Sequence, residues 1–76
     1  MIKIKNYKAI KAFGEKVREI RISKNFSQEE LANLADVPLS QIGRIERGEI
    51  NPTLSSIVAI SDALNVKIKD LVSTIK

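Results

Sequence analysis

Four side chains in one short stretch, Leu39, Ser40, Gln41 and Arg44, carry the polar and apolar groups that recognition chemistry needs. A glutamine carboxamide can pair bidentately with adenine, an arginine fork can pair with guanine O6 and N7, and a serine hydroxyl can donate or accept. Leu39 cannot hydrogen-bond; its fitting contact would be a thymine methyl. The same four residues also suit an ordinary solvated helix face, and residue type alone does not separate the two. Other chemistry finds little support. The chain has no Cys and no His, which removes disulfides, thiolates and the commonest general base and metal ligand. It shows no clustered carboxylates, metal-ligand spacing or Gly-rich phosphate loop. No catalytic residue, metal site or cofactor is expected, and an enzyme is the least supported class.

The elements that would position these four residues are two short helices around a tight turn. Ser27 can cap the first, with Glu30 three residues on at the capping-box spacing. Leu31, Leu34 and Ala35 then fall on one face, with small Ala32 beside them. Asp36 tolerates the left-handed backbone of a sharp stop, and Val37 is the apolar plug beneath the turn. Pro38 suits the first turn of a second helix, which Gly48 ends. That second helix turns Ile42 and Ile45 inward and leaves Leu39, Ser40, Gln41 and Arg44 outside.

The stretch resembles the helix-turn-helix of the Cro/repressor family of bacterial and phage regulators. The matching residues are Ser27-Gln28-Glu29-Glu30-Leu31-Ala32, Val37, Ile42 and Ile45-Glu46-Arg47-Gly48, followed by Asn51-Pro52-Thr53-Leu54. The likeness runs from about Phe13 to Leu71. Asp36 stands where the family usually has Gly, Pro38 where it has a Ser or Thr cap, and Gly43 where Ser is common. Gly43 costs about 1 kcal/mol of helix propensity relative to Ala. The resemblance implies an all-α, compact five-helix bundle of the lambda-repressor-like type, with helix 3 in the major groove and helix 2 across the backbone. It also implies phosphate contact by Gln28, where the free N–H groups of a helix N-terminus add attraction; Asn51 and Arg47, at the loop that follows helix 3, are expected to touch phosphate as well. Arg21 and Glu46 are implied as a structural ion pair.

Seventy-six residues, 43% hydrophobic and 29% charged, make one small globular domain. No apolar run approaches a membrane span or a signal-peptide core. Of the net charge of +4, residues 1–24 carry eight Lys/Arg against Glu15 and Glu19, a local net of +6 that suits a polyanion. Residues 1–6 read as a basic arm, a short added strand or a frayed end, and residues 7–76 as the domain. Helix 1 is expected over residues 7–24, capped by Asn6, with Ile10, Phe13, Val17 and Ile20 inward. Gly14 is expected where two helices come close, Asn25 as a left-handed stop, and Phe26 as an anchor under the turn. Thr53 caps helix 4, whose inward face is Leu54, Ile57, Val58, Ile60 or Ser61, and Leu64; Asn65 closes it. Helix 5 carries Ile68, Leu71, Val72 and Ile75 at i, i+3, i+4 and i+7. This stripe is larger than one small bundle needs, and a homodimer seam is favoured over a half-exposed tail.

The expected function is therefore cytoplasmic, sequence-specific binding of double-stranded DNA as a homodimer on a near-palindromic operator, for transcription regulation without a small-molecule effector. A phage-type repressor, a restriction–modification controller and a general regulator all fit. The alternative is an antitoxin that also binds a toxin partner and autoregulates its operon. The operator sequence, and activation against repression, are not legible.

Overall fold

The computed structural model describes residues 6–73 and 75. The basic arm at residues 1–5 lies outside them. Five helices follow in order: α1 (Tyr7–Ser23), α2 (Gln28–Ala35), α3 (Leu39–Glu46), α4 (Leu54–Leu64) and α5 (Ile68–Val72). No strand occurs among the described residues. The expected all-α, five-helix architecture is the one observed.

Each helix boundary has a local chemical cause. The Asn6 carboxamide oxygen accepts the Ala9 N–H at 2.9 Å and starts α1. Ser27 and Glu30 form the reciprocal capping box of α2: Ser27 Oγ accepts from Glu30 N at 3.0 Å, and the Glu30 carboxylate accepts from Ser27 N at 2.8 Å. Thr53 Oγ1 accepts from Ser56 N and starts α4. Pro38 precedes α3 in extended geometry with no side-chain cap. Asn25, Asp36 and Asn65 stop α1, α2 and α4 with φ of 62°, 56° and 56°, as their side chains permit. Gly48, φ 72°, does the same after α3, and its missing side chain leaves room for the backbone of Lys11.

After each of α1, α2, α3 and α4 the chain closes with the same backbone bond. The N–H two or three residues beyond the helix end returns to a carbonyl five residues earlier: Phe26 to Arg21, Val37 to Ala32, Glu49 to Arg44 and Val66 to Ser61, at 2.9–3.1 Å. This motif usually carries an apolar residue at the donating position. Phe26, Val37 and Val66 comply and pack against the core.

Phe13, Val17, Leu31, Ile42, Ile45, Ile60, Leu64 and Leu71 form the core, with contributions from all five helices. Full burial of one Leu or Ile is worth about 1.5–3 kcal/mol. Ile20 packs at its edge. α1 and α3 approach to backbone contact at Gly14, where a Cβ would collide with the Ile45 carbonyl oxygen. This close approach fixes the height of α3 above the core.

Several expected orientations are corrected. Leu34 is 58% exposed rather than inward. At about 100° per residue, the buried arc of α2 is centred among Leu31, Ala32 and Ala35, and Leu34 lies roughly a quarter turn outside it. Val58 lies on the outer side of α4 for the same reason, and Leu54, in its first turn, is 72% exposed. Both Ile60 and Ser61 are buried; the Ser61 hydroxyl donates to the Val58 carbonyl at 2.8 Å. α5 is shorter than its apolar stripe, and Ile75 lies beyond it, packed on the core with Val72. Leu71 is wholly buried within the single chain. It has no surface to offer a second copy, so the seam expected there loses its central member.

Candidate nucleic-acid interface

The two-helix unit is set by α3 lying between α1 and α2. Ile42 and Ile45 anchor its inner side. Opposite them, Leu39, Ser40 and Arg44 are exposed, and Gln41 is half-buried. Ser40 and Arg44 stand one helical turn apart, on neighbouring positions of one face. The structure thus brings the four candidate base-contacting side chains together at the start and outer side of one helix. Gln41 is the exception in freedom: its carboxamide N–H donates to Ser56 Oγ at 3.3 Å, and Ser56 in turn meets the Thr53 cap at 3.1 Å. One candidate base-contacting side chain is thereby held by α4.

Arg21 and Glu46 form the expected clasp. Arg21 Nε and Nη2 donate to the two Glu46 oxygens at 2.6 and 3.0 Å, and Nη1 donates to the Phe26 carbonyl at 2.7 Å. The fork-to-carboxylate geometry suits arginine in a way lysine cannot match. The two side chains are 11% and 1% exposed. Glu46 accepts a third bond, from Gln28 Nε2 at 3.0 Å. Gln28 begins α2 and still keeps its carbonyl oxygen and second N–H. The clasp that joins α1 to α3 therefore also orients the side chain expected to meet phosphate.

Arg47 and Asn51 are exposed, but they serve different surroundings. Asn51 lies at the rim of an apolar cleft of about 140 Å³ lined by Ala9, Ile10, Phe13, Pro52, Ile57, Val72 and Ile75. The Arg47 guanidinium lies across Gly43, where a Cβ would stand 3.0 Å from Nη1. Because that end of the arginine is exposed and free to shift, the packing does not by itself require a glycine inside α3. Two residues missed by sequence reasoning belong to the surface. Ser56 carries Gln41. Glu49 accepts from Arg47 Nε at 2.7 Å and Nη2 at 3.3 Å, and stands 3.8 Å from Arg44 Nε. The hydrogen bond from Arg47 holds the Glu49 carboxyl below its ordinary value, and the same bond raises Arg47. An Arg-x-Glu spacing was the available signal.

Basic residues of α1 are divided. Arg21 is engaged by Glu46, and Lys16 meets Glu19 at 3.4 Å. Lys8, Lys11, Arg18 and Lys24 are exposed or nearly so. Among the described residues no helix is long and apolar enough to cross a membrane, and no group of His, Cys, Asp or Glu could hold a metal.

A capped two-helix unit with a polar outer face on its second helix, supported on both sides by packed helices, defines a helix-turn-helix DNA-binding domain. The helix-turn-helix family model matches residues 17–71, and the chain belongs to that family. It is a DNA-binding transcriptional regulator, and the family is not enzymatic. It is similar to the control protein C.BamHI of Bacillus amyloliquefaciens, 53% identical over 60 residues covering 78% of this chain and 74% of that one. The control protein C.SmaI of Serratia marcescens is 39% identical over 60 residues, 79% and 71% of the two chains. Among solved structures, the restriction-modification controller protein C.AhdI from Aeromonas hydrophila superposes with a TM-score of 0.80. It is 37% identical, with 82% of this chain and 94% of that one covered.

Proposed function

We propose that this regulator is the control protein of a restriction–modification system, acting in the cytoplasm as a homodimer on a near-palindromic operator. The observation that carries the reading is the 53% identity to a control protein across the whole helix-turn-helix unit. Leu39, Ser40, Gln41 and Arg44 of α3 read base edges in the major groove, while Gln28, Arg47 and Asn51 meet phosphate. One eight-residue α3 spans only a few base pairs, too few to single out a site among a genome's competitors. A two-fold pair supplies the rest and sets the two copies of α3 about 34 Å apart. The surface we assign to a second copy is on α4 and α5, where Leu54, Val58 and Ile68 are exposed and Val72 is half-buried.

Footprinting on the DNA upstream of the protein's own gene and of its neighbours tests the reading. Protection of two half-sites one helical turn apart, beside genes for a nuclease and a methyltransferase, is the expected result. Sedimentation should give a dimer, and Val58→Asp with Ile68→Asp a folded monomer with much weaker operator binding. A wild-type monomer binding one non-palindromic site would reject the dimeric arrangement.

A further inference from the structure

Glu49 breaks a pattern that the rest of the fold obeys. It occupies, after α3, the place that Phe26, Val37 and Val66 fill after α1, α2 and α4, with the same backbone bond. Those three pack against the core. Glu49 instead keeps 47% of its side chain exposed and lies between two arginines. Arg47 reaches it through two nitrogens, and Arg44 stands at 3.8 Å. Both guanidinium groups are themselves more than half exposed. Exposed ion pairs add little to stability, whereas an apolar residue here would complete the helix stop. Stability does not account for the carboxylate.

The geometry points to Glu49 as a specificity-determining residue: a resident anion that occupies the arginines of the DNA-facing surface until a better partner displaces it. The inference rests on the DNA-facing reading of α3 given above. Non-specific affinity comes almost wholly from neutralised phosphates. A carboxylate already paired with Arg47 makes that arginine's phosphate contact costlier on any duplex, because the ion pair must first be given up. On the correct site, guanine O6 and N7 offer Arg44 a bidentate partner that repays the lost contact; on a wrong site nothing does. Discrimination is a difference between two affinities, and penalising the wrong partner widens it as well as favouring the right one. The surface without Glu49 would be a strong, indiscriminate phosphate binder.

The test compares wild type and Glu49→Gln on two probes, a short random-sequence duplex and the duplex recovered by the wild type from a randomised-site selection. The substitution should raise affinity for the random duplex roughly tenfold and for the selected duplex no more than about threefold, so the specificity ratio falls. Its salt slope on the random duplex should steepen by about 0.9 per protomer, one more phosphate neutralised. Arg47→Ala should weaken random-duplex binding more in the Glu49→Gln background than in the wild type. An unchanged ratio and slope would overturn the proposal. So would loss of selected-duplex affinity together with preference at one base pair, which would make Glu49 a base reader. Failure of the wild type to bind either duplex would overturn the DNA-facing reading itself, and thermal melts of both proteins verify that the fold is intact.

Discussion

Truncating Glu46 to Ala should bring this domain close to unfolding. The carboxylate is 1% exposed and accepts three hydrogen bonds, two of them from the Arg21 guanidinium. Without it, Arg21, itself 11% exposed, keeps only the Phe26 carbonyl, and Gln28 loses its acceptor. Stranding one member of a buried pair costs about 3–5 kcal/mol. A 76-residue domain has a total stability of roughly 4–11 kcal/mol. One substitution therefore removes about a quarter of it or more. Arg21→Ala should cost a similar amount. The double variant should cost less than the two singles added, by about 2–3 kcal/mol, because no charge is left without its partner. Urea unfolding followed by circular dichroism reads all three, with Glu46→Gln as a milder variant in which the shape persists and the charge goes. Additive losses below about 1 kcal/mol would show two independent side chains and refute the clasp as the element joining α1 to α3.

Three further outcomes follow from the same geometry. Affinity for DNA should fall steeply with salt; if about six phosphates are neutralised per dimer, log K against log salt slopes near −5, and a flat response would remove the phosphate contacts. Arg44→Ala should cost about 1–3 kcal/mol on the preferred site and relax one base position in a randomised selection, whereas Gln28→Ala should weaken all sequences evenly. The hydrogen bond from Arg47 lowers the Glu49 carboxyl, so any stabilisation from that pair is present above the ordinary carboxylate range and is lost as pH falls through the lowered value. Any melting difference between wild type and Glu49→Gln should thus be constant above the ordinary carboxylate range and close as pH falls through the lowered value; a difference that grew on acidification would contradict the pairing.

Helix stops and starts were legible in the sequence because they rest on single side chains acting within three or four residues. Asn6, Ser27, Asp36, Thr53 and Asn65 each behave as their chemistry requires. The Arg21–Glu46 pair was legible only through resemblance, being 25 residues apart along the chain. Leu34 and Val58 were misplaced because an apolar residue at helical spacing marks an arc, and the arc's centre is set by neighbouring helices. The stripe ending at Ile75 suggested a longer α5 than exists, since a residue beyond a helix can pack on the core as well as one inside it. Glu49 was passed over as a loop residue. Its place in a repeated turn emerges only from backbone hydrogen bonds, and its partners only from side-chain positions. Likewise nothing local announces that Gln41 leans on Ser56, 15 residues later.

That last contact bears on how the protein could be retargeted to a different operator. Among the described residues Arg44 is tied only to the exposed Glu49, and Ser40 makes no side-chain hydrogen bond, so this candidate reader can be exchanged as an interchangeable part. Gln41 cannot. Through Ser56 and the Thr53 cap it is wired to the start of α4, and replacing it alters the footing of a helix that carries Ile60 and Leu64 into the core. A transplanted recognition sequence should therefore succeed or fail at this one position, and should succeed more often when residues 41 and 56 travel together.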